Sequence, residues 1–237
     1  MALLRACLLG LATASMLSLA ACVNKEPQER AAFIQLLQVR MSSASPVPLA
    51  ALSEPEKEAV GGYADAYEVI TDFQESMAQA AVPMRDVLAV ETIRSVGEIV
   101  ERRQRFETAR KTLAENAAKL QDARARADKA RAALELPPDL APVYEGVYDE
   151  AVTAPAAELM DAASKMDAVA RDALGVAEFV EAHSEDILFV DGQTLVAKPT
   201  LQQELNLRLQ GLNAQSEGLE RARAILSQAA GQARDAP

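Results

Sequence analysis

The chain has 237 residues and a formal charge of -11, with half of its residues apolar, 4% aromatic and no tryptophan. An apolar share of that size buries a substantial core and excludes a disordered chain, while the acidic balance excludes nucleic acid and anionic head groups as electrostatic partners. Few aromatics and abundant alanine favour close-packed helices over sheets, so an all-α fold is expected.

Residues 1 to 21 read as a secretory signal that is cleaved. Arg5 supplies a minimal positive region, an uncharged apolar run follows from 6 to 20, and Lys25 and Glu26 end it. The run falls short of the roughly 20 apolar residues that a transmembrane helix needs. Leu19-Ala20-Ala21-Cys22 closes it, with small residues at 20 and 21 to enter a cleavage cleft. This segment resembles the lipobox of bacterial lipoproteins, and the resemblance makes Cys22 the acylated first residue of the mature protein. Cys7 lies in the segment to be removed, so the mature body is expected to carry no disulfide and no thiolate site.

Loss of Arg5 makes the mature body one charge more negative. Attachment to a membrane then has to come from the lipid and not from surface charge. One acyl chain, at about 0.8 kcal/mol per buried methylene, anchors marginally, whereas two or three anchor durably. Where lipoproteins are sorted by the residue after the cysteine, Asp retains them at the inner membrane. Val23 and Asn24 stand here, so the expected address is the periplasmic leaflet of the outer membrane.

Past the anchor, residues 26 to 41 read as a short helix with Phe33, Ile34 and Leu37 on one face. Pro46, Pro48 and Pro55 mark 42 to 55 as loop or linker. Residues 22 to 55 are thus expected to hold the lipid anchor, the short helix and the linker, and 56 to 233 a helical bundle domain. From Glu56, Tyr63, Ile70, Met77 and Met84 recur every seven residues, and Pro83 is expected to kink or end the helix.

The clearest period runs from about 91 to 134, where Ile99, Phe106, Leu113, Leu120, Ala127 and Leu134 share one heptad position. That is a narrow coiled-coil-like seam on a helix of roughly 65 Å. Glu98 and Arg102, Glu101 and Arg105, Glu107 and Lys111, Glu115 and Lys119, and Asp122 and Arg126 place an acid four residues ahead of a base, a ladder that marks a solvated face.

Pro137-Pro138 stops this helix. A further stretch from Asp139 to His183 carries Val152, Leu159, Met166, Ala173 and Val180, with Thr153 as candidate N-cap before Pro155, dividing it in two. The period then changes. Residues 187 to 190 and 193 to 197 read as two strands about Asp191-Gly192, the signature of a type I′ turn. After Pro199 a last helix carries Leu205, Leu212, Leu219 and Leu226, and the tail frays from Gly231.

Long amphipathic segments with short connections predict an antiparallel bundle with one small β-hairpin near residues 187-197. Sustained heptads also allow an elongated hairpin that pairs with a partner's helices.

The segment from Cys22 to Gln38, with Arg30, Phe33, Ile34 and Leu37, resembles the start of the YiaF-type lipoproteins of proteobacteria. Asp139-Leu140 with Pro142-Val143-Tyr144, then Val152-Thr153 with Pro155-Ala156, Phe189-Val190 and the glutamine-rich stretch from Gln202 fall in that family's order. The resemblance implies lipidation, an envelope address and the family's fold, and it carries no catalytic or ligand-binding residue onto this chain.

His183 is the single histidine, too few imidazoles for a typical zinc site, and it reads as a helix C-terminal residue. No Gly-x-Ser-x-Gly elbow or phosphate-cradling glycine loop accompanies it. Asp149, Glu150, Glu158, Asp161, Glu178, Glu181, Glu185 and Asp186 read as solvated helix face, without a calcium-loop spacing. Tyr63 with Tyr67, and Tyr144 with Tyr148, are each one turn apart and read as core residues whose hydroxyls reach the surface, with a cleft lining as the alternative. Met77 and Met84 read as core.

No catalytic residue, cofactor or metal is therefore expected, and Cys22 is the one site residue. The expected function is a non-enzymatic helical interaction or scaffold module, joined to the membrane through acylated Cys22 and partnered by an envelope protein. The alternative is a periplasmic carrier of a lipid or peptide between its helices.

Overall fold

A computed structural model describes residues 24–42, 49–87 and 94–232; the expected signal and Cys22 lie outside them. The helices are α1 (Glu26–Ser42), α2 (Glu54–Val60), α3 (Ala64–Val87), α4 (Val96–Glu101), α5 (Arg103–Ala132), α6 (Ala141–Tyr148), α7 (Ala154–Ala182), α8 (Pro199–Ala214) and α9 (Ser216–Gln232). Between α7 and α8 stands a two-stranded hairpin, β1 (Ile187–Val190) and β2 (Gln193–Val196).

The heptad residues make the core. Ile70, Met77, Met84, Ile99, Phe106, Leu113, Leu120 and Ala127 are buried, as are Val152, Leu159, Met166, Ala173 and Val180. These stripes bring α3, α5, α7 and α9 together as a four-helix bundle, each packed on two neighbours. Cross-helix pairs give the direction of α5 against α7: Arg103 meets Glu178 and Glu181, Arg110 meets Asp167, Arg124 meets Thr153, and Arg131 meets Glu145 ahead of α7. Numbers rise along one helix as they fall along the other, so the two are antiparallel.

Two clusters divide the core along this axis. The larger joins Phe33, Leu37 and Leu52 to the bundle interior around Ile70, Leu120 and Leu159, and forms the base. The smaller, at the tip, gathers Ile99, Phe106, Val176, Val180, Ile187 and Leu205. Among the described residues no helix is long and apolar enough to cross a membrane.

Several boundaries differ from the sequence reading, each for a local reason. α2 begins at Glu54, inside the expected linker, because Ser53 and Glu56 form a reciprocal capping box with Pro55 in the first turn. α3 runs through Pro83 to Val87. Ala80, Ala81 and Met84 are buried around the proline, so packing carries the helix past one missing donor.

The seam helix is interrupted at Arg102 (φ -94°, ψ 9°), and Ser95 caps α4 by accepting the Glu98 N–H at 3.2 Å. The last helical stretch is likewise broken at Gln215, whose side-chain amide donates to Asp172. Helix continues through Gly231 to Gln232.

Thr153 caps nothing. It is itself helical (φ -65°, ψ -54°), and its hydroxyl donates to Asp149 at 3.0 Å. Pro155 acts otherwise, because its ring has no N–H to give and crowds the carbonyl four residues back, at Ala151. There the helix widens into a π turn over Asp149–Thr153, and Gln74 of α3 donates to the freed Ala151 carbonyl at 3.4 Å.

The acid-first ladder also differs. Among the described residues Glu98–Arg102 closes at 3.6 Å. The neighbouring pairs run base first, as Arg103–Glu107 and Arg124–Asp128, or reach across to α7.

Candidate functional site

Cys22, the one site residue expected from the sequence, lies outside the described residues. Two features within them concentrate chemistry: the tyrosine-bearing base and the hairpin at the tip.

All four tyrosines gather at the base: Tyr63, in the 3-10 turn just before α3, and Tyr67 face α1 and the chain before α2, Tyr144 faces α3, and Tyr148 faces α5. Tyr63 donates its hydroxyl to Glu26 and stacks on Phe33 with ring centroids 5.5 Å apart. Tyr67 donates to the Ala50 carbonyl and Tyr144 to the Ala66 carbonyl, both at 2.8 Å. Tyr148 donates to Asp128 at 2.9 Å beneath two guanidiniums, Arg131 at 4.7 Å and Arg124 at 5.9 Å from its ring centroid. Arg40 lies 5.7 Å from the Tyr67 ring centroid and bonds to Glu56 and the Ala50 carbonyl, each at 2.8 Å.

Burial pushes the Tyr63 and Tyr67 phenols up to about 12, and raises Tyr144 and Tyr148 further in the same direction. Phenols so disposed are hydrogen-bond donors at neutral pH and poor sources of phenolate. Burial also pushes the Asp128 carboxyl up, but hydrogen bonds from Tyr148 and Arg124 outweigh it and hold the group below its ordinary value. The cluster therefore ties α1, α3, α5 and α6 together. Tyr67, Tyr144 and Tyr148 are buried as read and Tyr63 is half-buried; the Tyr144 hydroxyl ends on an interior carbonyl, whereas those of Tyr63 and Tyr148 reach half-exposed carboxylates.

At the tip His183 terminates α7. Its Nδ1 hydrogen-bonds the Phe179 carbonyl at 2.8 Å, and its ring packs 4.6 Å from the Phe179 ring, whose centroid lies 4.8 Å from Arg208. The carboxylates singled out in sequence are dispersed: Asp161 pairs with Lys165, Glu178 and Glu181 with Arg103, and Asp186 with Lys198. Glu150, Glu158 and Glu185 are exposed. Among the described residues no three of His, Cys, Asp and Glu form a group that could hold a metal ion.

The hairpin turn has φ of 52° at Asp191 and 76° at Gly192, the two positive values that a type I′ turn requires. Alternation along the strands sends Ile187, Phe189 and Val196 toward the tip core. Ile187 is buried, Val196 is half-buried against the tip cluster, and Phe189 lies over Gly97, 3.5 Å from where a Cβ would stand. On the opposite face Leu188, Val190 and Leu195 point outward, with exposures of 53%, 46% and 49%.

That outward apolar face was missed in the sequence, although four consecutive apolar residues from Ile187 to Val190 signalled it by their lack of polar alternation. The arginines over the tyrosines were missed too. They come from α1 and α5 and meet the rings through tertiary packing alone.

The chain matches the family described as "Protein of unknown function (DUF3053)" over residues 10–227. It is 27% identical over 212 residues to the uncharacterized protein YiaF of Escherichia coli strain K12, covering 87% of this chain and 88% of that protein. The YiaF proteins of Escherichia coli O157:H7 and Shigella flexneri match with the same identity and coverage. No solved structure matches the chain.

Proposed function

The chain belongs to the DUF3053 family of proteins of unknown function, and from that premise we propose that it is a lipid-anchored, periplasm-facing interaction module of the bacterial envelope, without enzymatic activity. The observation that carries this reading is the ordered set Arg5, apolar run, Leu19-Ala20-Ala21-Cys22 and charged Lys25-Glu26. The outward apolar face of the hairpin supports the interaction half of it.

The anchor would set the orientation of the body. Cys22 precedes α1 by four residues, at most about 14 Å of extended chain. α1 in turn is fixed to the base by Phe33 and Leu37 in the core and by Arg30 bonded to Asp139. An acylated Cys22 thus keeps the base beside the bilayer. The tip lies a distance of about 42 Å away, measured along α5 between Arg131 and Arg103.

The test is growth of the producing bacterium with radiolabelled palmitate, comparing the wild-type chain with Cys22→Ala and then fractionating the membranes. Label on the wild type, absent from the variant, with the variant leaving the membrane fraction, is the expected result. An unlabelled wild type would end the anchored reading.

A further inference from the structure

The edge of the hairpin completes what its outward face begins. In a hairpin closed by a two-residue turn, Val190 and Gln193 form a hydrogen-bonded pair, and such pairs alternate with non-hydrogen-bonded ones. The Ala197 N–H donating to the Asp186 carbonyl at 2.8 Å fixes that parity. Leu188 therefore bonds inward to Leu195, while Ile187 and Phe189 turn their backbone groups to the outer edge of β1. The Ile187 N–H is spent on the His183 carbonyl at 2.9 Å. Among the described residues Phe189 has no such bond, so within them its N–H and C=O are both open. β2 runs on through Ala197 and Lys198 into α8, and among the described residues the paired open groups on β1 are those of Phe189.

We propose that β1 pairs antiparallel with β1 of a second copy of this chain, centred on Phe189 of each, to make a four-stranded sheet across a two-fold axis. This deepens the interaction reading above, and rests on it, by naming the partner.

Register and charge argue for a second copy as the occupant. Centring on Phe189 lets both of its open backbone groups bond to the same groups of the copy, and the flanking Ile187–Asp191 pairs forgo only the bond from the occupied Ile187 N–H. It sets Leu188 opposite the copy's Val190 and Val190 opposite the copy's Leu188, apolar against apolar on the outward face. Asp191, the single charge between Ile187 and Ala197, falls opposite an isoleucine. In a chain of charge -11, this edge is where two copies meet without like charges in register. Strands this short bury less than the roughly 800 Å² per partner of a typical stable dimer. Confinement of both copies to one leaflet supplies the effective concentration that a short interface needs.

The test is co-capture of two differently tagged full-length chains co-expressed in the producing bacterium, read by the amount of the second tag recovered. Wild type should recover wild type. L188K/V190K should recover itself at least tenfold less, because register sets lysine against lysine, and L188E/V190E should fail against itself likewise. Co-expression of the lysine variant with the glutamate variant should restore capture, which misfolded chains could not do. Wild-type chains that do not capture one another, or variants that capture as wild type does, overturn the pairing. Palmitate labelling of the same cells separates the two readings: labelled chains that do not pair sink this proposal and leave the anchor standing.

Discussion

Glu56 accepts the Ser53 backbone N–H at 2.8 Å, the Ser53 hydroxyl at 2.7 Å and the Arg40 guanidinium at 2.8 Å. In that order these bonds bring its carboxyl down to about 2 from an ordinary 4.5. A carboxyl depressed on folding adds stability that is whole above its unfolded value and drains as pH falls through the folded one. The window here is therefore pH 4.5 down to about 2. The side chain is 35% exposed, and solvent screening limits the effect to about 1 kcal/mol. Glu56→Gln should be less stable than wild type at pH 7 by that amount and equal to it near pH 2, in urea unfolding followed by helix signal. A difference that stays constant from pH 7 to 2 would take Glu56 out of the acid response. Of this node the sequence displayed the spacing of Ser53 and Glu56; Arg40, held within reach by the docking of α1, was not visible in it.

Between α2 and α3, Gly61 has φ 52° and ψ -125°, a combination that costs any residue with a Cβ. A Cβ there would also fall on the Glu29 carboxylate of α1. Gly61→Ala should destabilise the protein by about 1–3 kcal/mol, read as a lowered urea midpoint. Adding Glu29→Ala should recover the part due to collision and leave the part due to backbone strain. Full recovery would mean that the positive φ carries no cost.

Element existence was legible because burial follows the seven-residue period: every position of the α7 stripe from Val152 to Val180 is buried. The interruptions at Arg102 and Gln215 and the π turn before Pro155 were not, since each depends on what lies beside the helix. Gln74 satisfies the Ala151 carbonyl from another element, and Asp172 receives Gln215 from α7. The type I′ hairpin was legible to the residue at its turn because Asp191-Gly192 is a local signal.

On the scale of the whole molecule, base and tip are held to different degrees. The base cluster draws on α1, α3, α5, α6, α7 and α9, with buried aromatic and aliphatic side chains and four bonded tyrosine hydroxyls. The tip offers α8 one buried residue, Leu205, and holds β1 by Ile187 and the half-exposed Phe189. Free energy of local opening follows buried apolar contact. Backbone amides of residues 187 to 214 should therefore exchange with solvent through openings at least about 2 kcal/mol less costly than those of 113 to 127, in hydrogen exchange of the full chain resolved by peptide. α5 and α7 run through both clusters, so the opposing expectation is a single cooperative unit in which tip and base amides share one opening energy. Phe106→Ala separates the two: it empties part of the tip core, at about 3–5 kcal/mol for a buried phenylalanine. If the tip opens by itself, protection should fall over 187 to 214 and persist around Leu120, Leu159 and Tyr144. Equal loss at those base positions would show that the long helices make one folding unit, and that a displaced hairpin weakens the end of the molecule where α1 docks.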